Sequence, residues 1–250
     1  MERTSFSGVA NIVRFNWHYY LLAALAIAFL FTSSAFLSDS YAIVLKLIAG
    51  LILVSTVVSL CVSAYIYDFS NLYTFDWLKK KPDESKIVNI HAGFDETSYL
   101  LKQIYPKAEL RVFDFYDPKK HTEVSIERAR RAYPQFPGTI KISTDNVPLQ
   151  VNSTDLILLT LAVHEVRNDH ERVAFLKMLS DALSADGRII VTEHLRDVNN
   201  FLAFNIGFFH FFTKKTWLQN FRDSGLAVTS EFNITPFITV FILQRHGTAS

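Results

Sequence analysis

The residues of this chain equipped for chemistry are imidazoles and carboxylates at the ends of short apolar runs. His91-Ala92-Gly93 follows one run, Asp114-Phe115 a second and Asp145-Asn146 a third. His164-Glu165 and Glu193-His194 follow two more. A carboxylate offers two acceptor oxygens, so Asp114 suits both hydroxyls of a ribose diol, and Phe115 beside it offers a ring face to an adenine. Asp114 also reads as a turn residue ahead of Asp117-Pro118. Asp145 and Asn146 divide between contact with the adenine and an ordinary loop turn. An imidazole titrates near neutral pH, so His164 is a candidate general base for a hydroxyl nucleophile. Glu193 and His194 form a second candidate acid–base pair, so the three candidate catalytic residues are His164, Glu193 and His194. Cys61 is the single cysteine, which excludes an intramolecular disulfide and a metal site built on several cysteines. Glu193, His194 and Asp114 have no recognised metal-ligand spacing, and no metal site is assigned. G-x-G-x-x-G and the P-loop lysine motif are both absent, which argues against NAD and nucleoside triphosphates.

These residues need a scaffold that brings strand ends together. From Lys86 onward, apolar runs alternate with amphipathic segments, the signature of βαβ units and a mainly parallel sheet. Strands are predicted at Ile87–His91, Leu110–Asp114, Thr139–Ser143, Asp155–Leu161 and, after the turn Asp186-Gly187, at Arg188–Glu193. Helices are predicted over Glu96–Tyr105, Thr122–Tyr133, Asp169–Leu183 and Thr213–Asp223. Leu226–Phe232 and Phe237–Gln244 read as a closing antiparallel hairpin. Ligands of such sheets bind beyond the carboxyl ends of the strands, where the chemistry-bearing residues stand.

Several segments, taken in order, resemble the class I S-adenosylmethionine-dependent methyltransferases over about two thirds of the chain. Ile87–Asp95 occupies the place of that family's glycine-rich first motif, and Val112-Phe113-Asp114 that of its ribose-binding acid. Ser125–Arg130 (S-I-E-R-A-R) resembles the helix that follows, and Thr144–Leu149 (T-D-N-V-P-L) the adenine-flanking segment. Ser153–Ile157 with Leu161–Glu165 is similar to the fourth-strand motif, and Leu183–Glu193 (L-S-A-D-G-R-I-I-V-T-E) to the leader into strand five. Phe212–Gly225 and Ile234–Leu243 resemble the final helix and hairpin. The resemblance implies an α/β, Rossmann-like methyltransferase sheet, mostly parallel with a C-terminal antiparallel hairpin. It also implies S-adenosyl-L-methionine as cofactor, held by Asn89, His91, Gly93, Asp114, Phe115, Asp145 and Asn146. The first motif departs from the family pattern. Most members carry an acid at the Asn89 position and glycines at His91, Gly93 and Asp95, and here only Gly93 remains.

Two apolar stretches precede this domain, Trp17–Leu37 and Tyr41–Tyr67, with Lys46 their only charged residue. Each is long enough for a transmembrane helix, so the fold class adds a transmembrane α-helical hairpin ahead of the sheet. Arg3 and Arg14 precede the first span and Lys79–Lys81 follow the second, whereas Ser38-Asp39-Ser40 between them carries no cation. By the positive-inside rule the catalytic domain and both termini are expected in the cytoplasm. The expected organisation is an N-terminal segment with two spans over 1–68 (spans at about 17–37 and 41–67), an interfacial connector over 69–82 and a methyltransferase-like domain over 83–250. A formal net charge of +1 and the absence of a basic stripe argue against nucleic acid as a partner. The residues set no oligomeric state.

Phe201–Phe212 (F-L-A-F-N-I-G-F-F-H-F-F) is denser in aromatics than core packing by one helix face requires. It reads as the wall of an acceptor pocket or as a surface packed on the membrane connector. The expected function is therefore a membrane-anchored methyltransferase for a small lipophilic acceptor. The alternatives are an S-adenosylmethionine-dependent enzyme that transfers no methyl group and a non-catalytic membrane module binding a metabolite or partner.

Overall fold

The computed structural model describes residues 6–120 and 123–247; Arg3 and Thr122, the expected start of a helix, lie outside them. The chain opens with a short amphipathic helix, α1 (Ser7–Phe15), which hydrophobic periodicity over nine residues is too brief to announce. Asp68 caps it from a distance: its carboxylate accepts the amides of Gly8 (2.6 Å) and Val9 (2.8 Å), two of the donors a helix start leaves unpaired. An apolar hairpin follows, α2 (Trp17–Ser34) and α3 (Asp39–Ala64), continued by a π-helical turn over Tyr65–Phe69. Both helices are long and apolar enough to cross a membrane. Their side chains point outward, Phe29 70% exposed and Leu51 69%.

The segment expected to lie at an interface instead packs partly onto the sheet. Phe75 and Leu78 are buried with Ile87, Leu101 and Leu156, and Leu72 is buried with Ile66 and Ile238.

Seven strands then form one sheet: β1 (Lys86–His91), β2 (Glu109–Asp114), β3 (Ile140–Lys141), β4 (Thr154–Thr160), β5 (Leu183–Glu193), β6 (Leu226–Thr235) and β7 (Ile238–Arg245). Their order is β3-β2-β1-β4-β5-β7-β6, parallel from β3 to β5, with β7 antiparallel to both of its neighbours. The expected fold class is thus the observed one. Leu156, Ile157, Leu158 and Leu159 of β4 are all buried, as a central parallel strand covered on both faces requires. The helices α4 (Ser98–Ile104), α5 (Val124–Ala132), α6 (Asp169–Ala182), α7 (Val198–Phe204) and α8 (Lys214–Asp223) complete the domain. Asp186-Gly187 does not begin β5 as predicted. It lies inside the strand, where the pairing with β4 shifts register between Thr154 and Leu156. A Cβ on Gly187 would stand 2.7 Å from the Thr154 carbonyl oxygen.

Strand order reverses between β1 and β4, which makes the crevice beyond His91 and Thr160 the switch point of the sheet.

Candidate functional site

A cavity of about 790 Å³ opens at that crevice. Its floor is Ile90-His91-Ala92 at the end of β1, Thr160-Leu161-Ala162 at the end of β4, and His194 just after β5. Leu161 adopts φ 50°, a left-handed conformation that a branched side chain occupies only when its surroundings hold it there. One wall is α1, through Gly8, Asn11 and Phe15. The cavity then continues along α3 past Ser55, Thr56, Ser59 and Ser63, residues spaced to share one helix face. The far wall is Phe204, Ile206 and Phe211 of the aromatic segment, whose Phe201, Leu202, Ile206 and Phe209 also present exposed surface.

The β1 end is built from short polar side chains. Asn89 is buried and donates to Thr97 Oγ1 (2.8 Å) and Ser98 Oγ (2.8 Å), while Asp95 Oδ1 accepts the amides of Thr97 and Ser98 (both 2.9 Å). Asn89 therefore organises the loop from beneath and does not line the cavity. His91 does line it. Its Nδ1 accepts the Gly93 amide (3.1 Å), which places the proton on Nε2, and burial lowers its pKa and keeps the ring neutral. His91 Nε2 is buried and has no hydrogen-bond partner among the described residues, so the cavity contains a donor suited to an acceptor atom of a ligand. Gly93 adopts φ +104°, and a Cβ there would stand 2.9 Å from Ile126 Cγ2 and 3.1 Å from Arg130 Cδ.

Asp114 is fully buried at the end of β2, does not line the cavity, and is held by Arg130 of α5. One carboxylate oxygen accepts from Arg130 Nη1 and from Gln135 Nε2 (2.7 Å), the other from the Tyr116 amide (2.9 Å). The Arg130 guanidinium lies over the Tyr116 ring, 4.6 Å from its centroid. Phe115 turns into the core against Phe175, with ring centroids 5.5 Å apart, and offers no face to the cavity. Asp145 and Asn146 are exposed and outside the cavity; Asp145 accepts from Ser143. Of the seven residues expected around a cofactor, only His91 lines this cavity.

The β4 and β5 ends carry the strongest electrostatics. Glu193 is fully buried. Its Oε2 takes the Nδ1–H of His164 (2.6 Å) and its Oε1 the His164 amide (3.2 Å). On the other side of the ring, His164 Nε2 lies 3.3 Å from Glu165 Oε1. Burial alone would lower the His164 pKa, but Glu193 and Glu165 outweigh it and push it up to about 10. The same contacts, with His210, hold Glu165 well below the usual carboxylate range against the effect of burial. His164 thus stands as an imidazolium at neutral pH. The two carboxylates flanking it favour the protonated ring, the opposite of the state in which an imidazole accepts a proton.

His194 is the opposite case. Its Nδ1 faces Asn200 Oδ1 and the Phe237 carbonyl (both 3.0 Å) and so carries the proton, while Nε2 accepts the Tyr67 hydroxyl (2.9 Å). Burial drives its pKa down to about 4, so the ring is neutral, and it stacks on Phe211 at 4.6 Å. His194 ties the end of α3's π-turn to the sheet. Arg196 donates to the carbonyls of Phe209 and Phe211 and so anchors the loop. Sequence reasoning missed Arg130, Gln135, Tyr67 and His210. Only His210 left a signal, as the one titratable group inside the aromatic run.

No protein-family model and no curated protein matches the sequence. Among solved structures, the chain is similar to one in the complex between the Haloferax volcanii Trm112 methyltransferase activator and a methyltransferase. The match has TM-score 0.50 and 13% identity and covers 71% of this chain and 90% of that one. A type 11 methyltransferase from Sulfolobus solfataricus matches at TM-score 0.45 and 20% identity, over 67% of this chain and 87% of its own. LepI, in complex with SAM, matches at TM-score 0.48 and 16% identity over 69% of this chain. That match spans 46% of LepI, under half its length. At these identities the likeness is one of architecture: this chain has the fold of the class I S-adenosylmethionine-dependent methyltransferases.

Proposed function

We propose that this protein is a membrane-anchored S-adenosylmethionine-dependent methyltransferase that acts on a small lipophilic acceptor, with its domain and both termini in the cytoplasm. The observation that carries this reading is the cavity itself, which runs from the switch point of a methyltransferase-type sheet to the polar face of an outward-facing apolar helix. Its volume is within the range of small-molecule sites, and the unpaired His91 Nε2–H supports a ligand bearing an acceptor atom. When bound, S-adenosylmethionine supplies a methyl group on a positively charged sulfur. His91 and the Gly93 turn would hold it from the β1 side. Asp114 would take the ribose hydroxyls once Arg130 swings off it, with Asn89 bracing the loop and Phe115 the strand beneath. Asp145 and Asn146 would border the adenine from the β3 loop.

At the acceptor end, Glu193 fixes the His164 ring at the cavity wall, where it would orient an acceptor oxygen, carbon or nitrogen. His194 fixes Tyr67 on the same wall. The aromatic segment, exposed beyond the cavity, supports entry of a greasy molecule from the hydrocarbon side.

The test uses full-length protein in membrane vesicles supplied with methyl-labelled S-adenosylmethionine. Label should pass into the organic extract. Asp114→Ala should weaken cofactor affinity about a hundredfold, the worth of two buried hydrogen bonds at about 2–3 kcal/mol. Arg130→Ala should tighten it by about tenfold, because one charge-assisted bond of roughly 1.5 kcal/mol no longer competes for the carboxylate. Unchanged affinity in Asp114→Ala would overturn the cofactor assignment. Label confined to protein or to water-soluble products would overturn the lipophilic acceptor.

A further inference from the structure

We infer that His164, Glu165 and His210 form a binding site for one divalent transition-metal ion, with coordination positions open to the cavity. His164 and Glu165 stand on the 3₁₀ turn after β4, and His210 ends the 3₁₀ turn after α7. Their candidate ligand atoms all lie within 4.8 Å of one another. Both histidines present Nε2 to the same oxygen, Glu165 Oε1, each at 3.3 Å. Two ligand atoms about 2.1 Å from one tetrahedral ion stand about 3.4 Å apart, so these separations already match two edges of a coordination shell.

The outer nitrogens are arranged as metal-bound imidazoles need. His164 Nδ1 gives its proton to Glu193 at 2.6 Å and His210 Nδ1 lies 3.5 Å from Glu123, so both rings turn Nε2 inward, where the ion would take the place of the proton that His164 carries without it. The rings meet edge to face with centroids 5.1 Å apart. Arg167 donates to the backbone carbonyls of both His164 and His210, which holds the two turns in register. Two imidazoles and a carboxylate suit zinc, iron, cobalt or nickel rather than magnesium or calcium. All three side chains line the cavity, so the ion's remaining positions face whatever occupies it and would take an oxygen donor such as a hydroxyl, enol or carboxylate. Metal binding by these residues is independent of what fills the β1–β4 crevice.

The test is cobalt titration of the full chain, purified in detergent and stripped with a chelator. One cobalt ion per chain should bind, with a visible absorption band of nitrogen and oxygen ligation that shifts when azide is added. His210→Ala and Glu165→Gln should each weaken binding at least a hundredfold, and Glu123→Gln by about 10- to 100-fold, the range for a lost outer partner. His210 is partly exposed, so its variant should melt with the parent, which separates ligand loss from unfolding. A stoichiometry well below one, or His210→Ala binding cobalt as tightly as the parent, would overturn the site. A band indifferent to azide would overturn its open positions. S-adenosylmethionine affinity measured on the same samples keeps failure of the cofactor reading distinct.

Discussion

Two histidines at neighbouring strand ends have opposite protonation states, and the cause is what each imidazole faces. His164 lies between Glu193 and Glu165, whereas His194 lies among an amide oxygen, a carbonyl and a hydroxyl. The pH consequence follows by linkage. The His164 pKa rises on folding to about 10, so its contribution is complete below the unfolded value of about 6.5 and is lost as pH climbs toward about 10. The His194 pKa falls to about 4, so its contribution is complete above about 6.5 and is lost as pH drops toward about 4. In chelator, urea unfolding of the parent and His164→Gln should therefore converge on the alkaline side, at no more than about 1.4 kcal/mol per pH unit. The gap between the parent and His194→Gln should instead widen from pH 4 to 6.5. Parallel curves for both variants would remove these protonation states. The sequence made the two residues visible but not their states, because the deciding partners come from elsewhere in the chain. Glu193 is 29 residues from His164, and Tyr67 is 127 from His194. Arg130 was hidden for the same reason: S-I-E-R-A-R reads as a helix, but which of its arginines meets Asp114 depends on how α5 lies on the sheet.

At the scale of elements, every strand from β1 to β7 was legible, since period-two alternation and buried runs survive in a short window. What escaped were short elements stabilised by partners distant in sequence. α1 depends on Asp68 for its cap. It is tied to α5 through Tyr133, whose hydroxyl donates to Asn11 Oδ1 (2.8 Å), and through Arg128, which donates to the Phe15 carbonyl. Gly8 lets α1 approach the end of α3, where a Cβ would stand 2.6 Å from Tyr67 Cβ. The connector's aromatics suit an interface and a core equally well, and only the sheet shows that Phe75 and Leu78 belong to the core. A fragment of residues 83–250 begins where composition changes but lacks both side chains. At about 1.5–3 kcal/mol for each buried large apolar side chain, the loss approaches half the stability of an ordinary domain. A fragment of residues 70–250 should fold and melt cooperatively, while 83–250 should melt well below it or aggregate. Equal melting midpoints would return the domain boundary to the composition change.

At the scale of the whole molecule, the apolar helices and the sheet share one cavity, so the helices are part of its wall. α3 supplies Ser55, Thr56, Ser59 and Ser63 to the wall, the sheet supplies His91, Leu161 and His194, and Tyr67 links the two through His194. Under the proposed membrane anchoring, the strand ends and the helix ends that line this cavity must be on the same side of the bilayer. The charges agree. Arg14 precedes α2 and Lys79–Lys81 follow α3, whereas residues 35–38, which join the two helices, carry no cation. A reporter active only in the cytoplasm, fused to the C-terminus, should therefore be active, and one requiring export should be silent. Reversing the bias by adding lysines to residues 35–38 and neutralising Lys79–Lys81 should reduce cytoplasmic activity of the fusion, since positive flanks resist translocation. An export-dependent reporter active in the parent would place the cavity away from the cytosolic supply of S-adenosylmethionine. The orientation and the methyl-transfer reading would then fall together, while the histidine–glutamate metal site, which needs neither, would still stand or fall on its own titration.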